Sequence, residues 1–576
     1  MKLLESYLIA FALMNACGRK TTDVFTVVFF VVAYFLLKKM PQIQQKRDML
    51  AAAFCAGIYT VCYVLGNKEA LSGGLTNKLF LLFYFGCTIA GLFFLFYRSV
   101  LWVLISSTKI EIFEEKKYFS YKMLFLFAGF LFLCMIPFLL SNYPAIMTPD
   151  SLSQYRQAVG IEGYSDHHPW FHTLMIQFFY QFGLMIGGNE YFAIACYTLV
   201  QMLLVAFSVG YVWSTLYELG LKRKYCIIGV VLFAIYPYNL IYAVTIWKDV
   251  LFSMSVLVLT ITLYRMFLQT KTQEKLQLRD IIVFFVSGFL TCMLRHNGFY
   301  AFIVSCPFFL WVMRKKWRQI VPLTLIILMS AVIIKGPIAN AADVEPGAFA
   351  LKLSIPLQQV GRVIADGCEL TKEEIATIEK INIISYIEEN YQKGGSDPMV
   401  AWVVYGNSDY MLENKEEYLD LWISLGIKYP GKYIQAFIDL TKGYWYPMDP
   451  EQVVFFGITE NANGLLSQPV LEGPFVIKVH ELLTKLYTIF PIYGILYSMG
   501  AMFWLFVLLI AIAGRNGNYG LWVAGIPLMF LTMTLFVAVP LVADIRYGYP
   551  LLVAIPGIAA LTFRNIQEDK DEKLYE

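Results

Sequence analysis

Charge is scarce in this chain. Lys, Arg, Asp and Glu make up 15% of its 576 residues, against about 25% in soluble domains. With 58% hydrophobic and 16% aromatic residues, that shortage excludes a soluble globular protein and points to an integral membrane protein with many spans. The net charge of +3 is too small to argue for a nucleic-acid partner. No Cys-x-x-Cys pair occurs among the ten cysteines, so neither a zinc site nor a redox motif is indicated. Cys55, Cys62, Cys87, Cys134, Cys196, Cys292 and Cys306 lie inside apolar runs and read as small buried thiols. Cys368 stands alone in the large polar segment. A P-loop and a G-x-G-x-x-G turn are both missing, so no sign of nucleotide binding is present. No repeat of solenoid period is visible. The run that begins Met1-Lys2-Leu3-Leu4-Glu5 lacks an A-x-A cleavage site and reads as a first membrane helix, not a removed leader.

Long apolar runs are what the chain has instead. A helix needs roughly 20 apolar residues to cross the hydrocarbon. On that criterion spans are expected near 3–17, 23–38, 50–66, 79–105, 122–142, 190–219, 225–246, 248–269, 280–295, 297–313, 318–335, 486–513, 518–541 and 546–563. The expectation is an all-α polytopic membrane protein of about fourteen transmembrane helices. A mostly helical polar domain, residues 336–485, expected on the extracytoplasmic side, is inserted before the last three spans. Residues 1–110 form a separate N-terminal group, 111–335 a core with a first loop over 143–189, 486–563 the closing spans and 564–576 a charged tail.

The basic residues give the orientation, because cytoplasmic loops carry an excess of Lys and Arg. Lys38, Lys39, Lys46 and Arg47 fall on one side, as do Lys109, Lys116, Lys117, Lys222, Arg223 and Lys224. Lys271, Lys275, Arg279, Arg314, Lys315, Lys316, Arg318, Arg515 and Arg564 join them. Arg19 and Lys20 are the exceptions. This agreement requires the run Phe171–Ile186 to lie in the interface without crossing. Both termini are then cytoplasmic, in a multi-pass protein of the cell membrane.

Within the polar insert, Thr371-Lys372-Glu373-Glu374 has the form of a capping box. A second helix is expected from Glu416 to Ile427, ended by Tyr429-Pro430-Gly431. Tyr444-Trp445-Tyr446-Pro447 is expected to return the chain to the headgroup level, which aromatic rings favour.

Four outer segments hold ionisable groups. Ionisable groups at a membrane boundary are costly and usually have a job or a partner. Asp150, after Pro149, is a general base for an acceptor hydroxyl or an N-cap, a role Thr148 can also fill. Asp166, His167 and His168 follow. The histidines either bind phosphate, shuttle a proton or hold a metal, or are hydrogen-bonded interface residues before a proline-started helix. His168 and His172 are four apart, a spacing seen in metal sites, but no acid of a known zinc pattern accompanies them. Lys248-Asp249 is a phosphate-binding cation oriented by its neighbour, or an ion pair or a lysine snorkelling to the headgroups. Arg295-His296-Asn297 and Asp544-Ile545-Arg546-Tyr547 each present an arginine suited to a phosphate. Their structural alternatives are a headgroup contact and an Asp544–Arg546 pair. Three cations beside an acid and a histidine pair are what a site handling a phosphorylated lipid requires.

These segments resemble the GT-C class of membrane glycosyltransferases, in particular its protein-mannosyltransferase-like and aminoarabinose-transferase-like branch. Asp150 matches the acid after the first core span, and His168-Pro169-Trp170-Phe171 matches a His-Pro-Pro-Leu-like segment. Trp247-Lys248-Asp249 and Arg546-Tyr547-Gly548-Tyr549-Pro550 match a Lys-Asp and an Arg-Tyr-x-x-Pro start of later spans. The set also resembles a Gram-positive membrane protein group with Thr-Pro-Asp-Ser and His-His-Pro signatures. The match covers roughly 120–335 and 486–563; Ser151 and Trp170 depart from the pattern. The resemblance implies inverting transfer of a sugar from a polyprenyl-phosphate donor to a cell-envelope acceptor: a wall polymer, glycolipid or protein. Asp150 and His168 would be catalytic. Asp166, His167, Lys248, Asp249, Arg295, His296, Arg546 and Tyr547 would bind substrate, with no cofactor. A flippase for a lipid-linked sugar would share the cations but would keep polar groups near the midplane on broken helices, and Tyr236-Pro237-Tyr238-Asn239 does interrupt a span. A polysaccharide polymerase would share the lipid donor without specially needing Asp150.

Overall fold

The computed structural model describes residues 2–40, 45–71, 77–107, 110–447, 454–459, 464–489, 495–538 and 544–564. Among them the chain is helical throughout, and extended segments meet only as isolated bridges. Helix is what such a sequence must form in hydrocarbon, where each backbone N–H and C=O has to be satisfied within its own segment. Among the described residues eight helices are long and apolar enough to cross a membrane: Lys46–Gly66, Leu79–Ser107, Tyr121–Ser141, Glu190–Glu218, Lys248–Lys271, Arg314–Ala341, Tyr519–Val537 and Ile545–Thr562.

A ninth arises if Arg223–Ile235 and Pro237–Ala243 are taken together, although they are bent by 68°. Pro237 has no N–H to continue the ladder. The Asn239 side chain takes up the loosened carbonyl of Phe233 at 2.9 Å. His296–Val312 and Met499–Arg515 are apolar but shorter. The expected span 486–513 is not one helix. Pro474–Ile489 is separate, and Met499–Arg515 starts at Ser498, whose hydroxyl accepts from the Ala501 N–H at 3.3 Å. The residues between them, 490–494, lie outside the described set, as do the tail 565–576 and the end of the expected span 518–541. The run from Arg314 also continues to Ala341, beyond the expected end at 335.

Lys248–Lys271 is the central helix, and 89% of its apolar window is enclosed. It packs against Glu190–Glu218, Leu278–Leu294, Tyr519–Ala538 and Ile545–Thr562. A helix surrounded on all sides has no polar face to show, which is why its sequence is apolar around its circumference. Its two ends carry the buried charges. At one end is Lys248. Toward the other, Arg265 Nε lies 3.0 Å from Asp280 and also contacts Glu218, which Arg279 meets at 2.9 Å. The rise from Lys248 to Arg265 is roughly 26 Å, close to the hydrocarbon thickness. The two ionic clusters therefore mark opposite ends of one bundle.

The N-terminal helices attach through Lys46–Gly66, where Tyr59 stacks on Trp504 at 4.6 Å and Arg515 Nε meets Asp48 at 2.8 Å. The polar insert has its own core, including Val360, Val363, Ile378, Val403 and Leu425. Its capping box forms as the sequence suggests: the Thr371 N–H donates to Glu374 Oε2 at 2.7 Å, and the Glu374 N–H donates to Thr371 Oγ1 at 3.2 Å. Lys415–Lys428 ends at Tyr429, but Pro430 then opens a further helix, Pro430–Thr441. Proline suits a first helical turn, where its missing N–H has no intrahelical partner to lose. The rings of Tyr444 and Tyr446 are buried within the protein.

Candidate functional site

At the Lys248 end of the bundle, four helices start close together: Pro149–Ala158, Lys248–Lys271, His296–Val312 and Ile545–Thr562. A helix N-terminus carries partial positive charge and unpaired N–H groups. Several such ends at one place favour an anion.

Asp150 sits in the first turn of Pro149–Ala158, but it is not the cap. Thr148 is the N-cap, and its N–H donates to Ser151 Oγ at 3.2 Å. Ser151 in turn donates to the carbonyl of Ile246 at 2.7 Å, and Trp247 Nε1 donates to Thr148 Oγ1 at 2.7 Å. These bonds fasten the short helix to the start of Lys248–Lys271 and leave the Asp150 carboxylate free to turn outward. Asp150 Oδ2 accepts from Lys248 Nζ at 3.1 Å and from Arg546 Nη1 at 3.0 Å. Burial pushes the Asp150 carboxyl up, but the positive charges of Lys248 and Arg546 outweigh it and hold it well below the usual carboxylate range. Its side chain is 29% exposed, more than Lys248 or Arg546. The acid thus remains reachable while its counter-ions are covered.

Lys248 Nζ also lies 3.2 Å from His168 Nδ1. An ammonium only donates, so Nδ1 accepts and the imidazole proton sits on Nε2, which faces Asp150 Oδ1 at 3.9 Å. Burial and the charge of Lys248 drive the His168 pKa well below its ordinary value, and burial lowers that of His167, whose ring meets His168 at 4.5 Å. His168 is therefore a neutral ring oriented from both sides. His172 is directed elsewhere, bonding to Gln154 at 2.9 Å and to the Tyr197 hydroxyl at 2.6 Å. Among the described residues no group of three or more His, Cys, Asp or Glu is placed to hold a metal.

Arg546 is fixed on three sides. Its Nε lies 3.2 Å from Asp544, its Nη2 donates to Tyr547 Oη at 2.8 Å, and its guanidinium lies 4.9 Å from the Trp247 ring centre. The Asp544–Arg546 pair and the contact with Asp150 coexist. Asp249 does not orient Lys248. It pairs with Arg295, whose guanidinium stacks on Tyr547 at 4.7 Å. Successive helical residues do not share a face, so Lys248 and Asp249 serve different partners. On the far side, His296 Nε2 lies 3.1 Å from the Asp166 carbonyl and 3.9 Å from its carboxylate. His172 apart, the expected catalytic and substrate-binding residues belong to one continuous polar strip, from Asp249, Arg295, Tyr547 and Arg546 through Asp150, Lys248, His168 and His167 to Asp166 and His296.

Two members were not anticipated. Asp397 opens the helix Asp397–Gly406 of the polar insert; burial raises its pKa, and it feels the charges of Arg546 and Asp150. Its Ser396-Asp397-Pro398 setting reads as an ordinary helix start, so no local signal distinguishes it. Lys335 approaches Asp166 and His296 electrostatically. A lone lysine inside an apolar run was its signal. The segment 454–459 also closes on this region: Met147 N–H donates to the Gly457 carbonyl at 3.0 Å, and Phe455 meets Trp247 edge-on at 6.3 Å.

Neither the comparison with curated proteins nor that with solved structures gives a match. One family model matches residues 163–575, a stretch that begins after Asp150 and takes in the other site residues. That stretch is well over half of the sequence, so the chain belongs to the family described as a family of unknown function, DUF6020.

Proposed function

We propose that this protein is a GT-C-type glycosyltransferase that moves a sugar from a polyprenyl-phosphate donor to a hydroxyl of a cell-envelope acceptor, with inversion. In this reading about fourteen spans cross the cell membrane, both termini are cytoplasmic and the Asp150 cluster faces outward. The observation that carries it is the Asp150 carboxylate bonded at once to Lys248 and Arg546, with neutral His168 beside it.

The acceptor oxygen attacks the anomeric carbon, the bond from that carbon to the phosphate oxygen breaks, and the electron pair leaves with the phosphate. Asp150 takes the acceptor proton. A carboxylate held so low is a weak base in isolation. What it supplies is a fixed, ionised acceptor for a proton that becomes acidic only as the new bond forms. Lys248 and Arg546 lie where they can meet the leaving phosphate. As they turn to it, Asp150 loses its counter-ions and becomes more basic when a base is needed. Fixed cations stabilise the charge that develops on the phosphate.

The test is a strain lacking this chain, complemented with wild type or Asp150→Asn. Wild type should clear the sugar-lipid that accumulates; the variant should accumulate it while inserting and melting as wild type does. Transfer should fall by about 10²–10⁴-fold. Full complementation by Asp150→Asn removes the base assignment. The 68° break at Tyr236 favours a second reading, a flippase for a lipid-linked sugar. The same lipid then accumulates, but on the cytoplasmic leaflet.

A further inference from the structure

The proposed reaction brings a phosphate into a cluster whose charges already cancel. Lys248, Arg295 and Arg546 are each in contact with a carboxylate, drawn from Asp150, Asp249 and Asp544. An added anion there needs a positive charge that no carboxylate has claimed.

Lys335 is such a charge. It lies near the end of the apolar helix Arg314–Ala341. The helix widens at that point into a π-turn, Ile334–Ile338, which contains Gly336 and Pro337. A π-turn re-aims the side chains it carries and recurs at functional sites. The Lys335 ammonium stands over the Phe299 ring at 5.3 Å. Phe299 shares a helix start with His296. Among the described residues no carboxylate pairs with Lys335 and no side chain or carbonyl accepts from it. A half-buried ammonium at a membrane boundary that faces an aromatic ring, and feels Asp166 without pairing with it, is costly and marks a site by default. A second open donor lies against the same helix. Trp170 is 4% exposed and packs with Ile334, Ala339 and Val344, and its indole N–H has no hydrogen-bond partner among the described residues. A buried donor left open calls for an explanation.

Resting on the donor class proposed above, we infer that Lys335 is the primary anchor for the phosphate of the polyprenyl-phosphate donor, with His296 beside it. The lipid tail lies along Arg314–Ala341, which exposes Val332, Ile333 and Ile338. The anomeric carbon then lies beside Asp166, His167 and His168, between that phosphate and Asp150. Lys248 and Arg546 meet the phosphate only as it departs.

The test uses the full-length protein in phosphatidylcholine nanodiscs, with binding of undecaprenyl phosphate and, separately, phosphatidylglycerol read by native mass spectrometry. Lys335→Gln should weaken undecaprenyl phosphate binding by about tenfold, the worth of one charge-assisted contact, and Lys335→Arg should restore it. Phosphatidylglycerol binding should not change. Equal undecaprenyl phosphate binding by wild type and Lys335→Gln overturns the assignment, and so does an equal loss for phosphatidylglycerol, which would make Lys335 a general headgroup contact. If wild type itself binds no undecaprenyl phosphate, the donor class fails and this anchor with it; if wild type binds and only Lys335→Gln matches it, the anchor alone fails.

Discussion

Arg546 reaches across 396 positions of the chain to donate to Asp150 at 3.0 Å. Among the described residues no other hydrogen bond of the site joins parts of the sequence so far apart. It makes the first turn of the last described helix a counter-ion for the first turn of the loop after Tyr121–Ser141.

Removing that counter-ion should move the acid limb of activity. With Arg546→Gln, one of the positive charges that oppose the burial of the Asp150 carboxyl is gone, so its pKa rises from its depressed position. Activity requires the ionised form, so the variant should lose activity at a higher pH than wild type does. Stability follows the same sign. Asp150 contributes above its unfolded pKa, and the contribution is lost as pH falls through the folded one. A pH–rate profile of sugar transfer checks the shift; superimposable acid limbs would show that Arg546 does not govern Asp150.

His168 gives a prediction in a different pH window. Folded, its ring stays neutral well below the ordinary value; unfolded, it takes up a proton near pH 6.5. The unfolded state therefore binds more protons as pH falls. Stability is fully present above about pH 6.5 and declines below it, by at most about 1.4 kcal/mol per pH unit. His168→Asn keeps an acceptor where Nδ1 meets Lys248 and removes the titration. Thermal unfolding in detergent between pH 7.5 and 5 should show a shallower decline for the variant, and an unchanged slope would assign the decline to other groups.

Much of this architecture is legible in the residues because apolar runs leave the backbone one option. Each expected span from 79–105 to 248–269 contains a helix, and the break at Pro237 falls where the proline stands. The convergence of Asp150, Lys248 and Arg546 was expected from motif order. Apart from the Asp544–Arg546 pair, which charge pairs with which was not. The sequence places Lys248 beside Asp249, yet helix geometry sends them to Asp150 and Arg295. Lys335 and Asp397 were hidden for another reason. The Asp166 that Lys335 feels and the charges that Asp397 feels come from segments more than a hundred residues away, and the one local sign was the lone lysine in an apolar run. The start of Met499–Arg515 was misplaced because 486–489 and 499–513 are both apolar, and hydropathy alone does not separate two helices.

Sidedness has a direct test, and the structure chooses the reporter. Ser151 is fully buried and would stay unlabelled on either side, whereas Ile161 in the same loop is 61% exposed. On a Cys17→Ser background, since Cys17 is an exposed thiol, Ile161→Cys should react with an impermeant maleimide in whole cells. Tyr118→Cys, close to Lys116 and Lys117, should react only after permeabilisation. The reverse pattern would invert the topology and place the Asp150 cluster in the cytoplasm.

The Asp249–Arg295 pair separates structural from substrate roles among the cations. Both side chains are buried, so removing one leaves the other charged and unmatched. Breaking such a pair costs about 3–5 kcal/mol, whereas replacing both ions with apolar groups of similar size is often neutral. Asp249→Leu alone should lower the melting temperature sharply, and Asp249→Leu with Arg295→Met should recover most of it. Arg295 also stacks on Tyr547, which holds Arg546, so the double variant keeps the fold but loses one support of the site. Transfer should remain reduced in that variant although stability returns. Recovery of both together would make the pair purely structural and remove Arg295 from the substrate site.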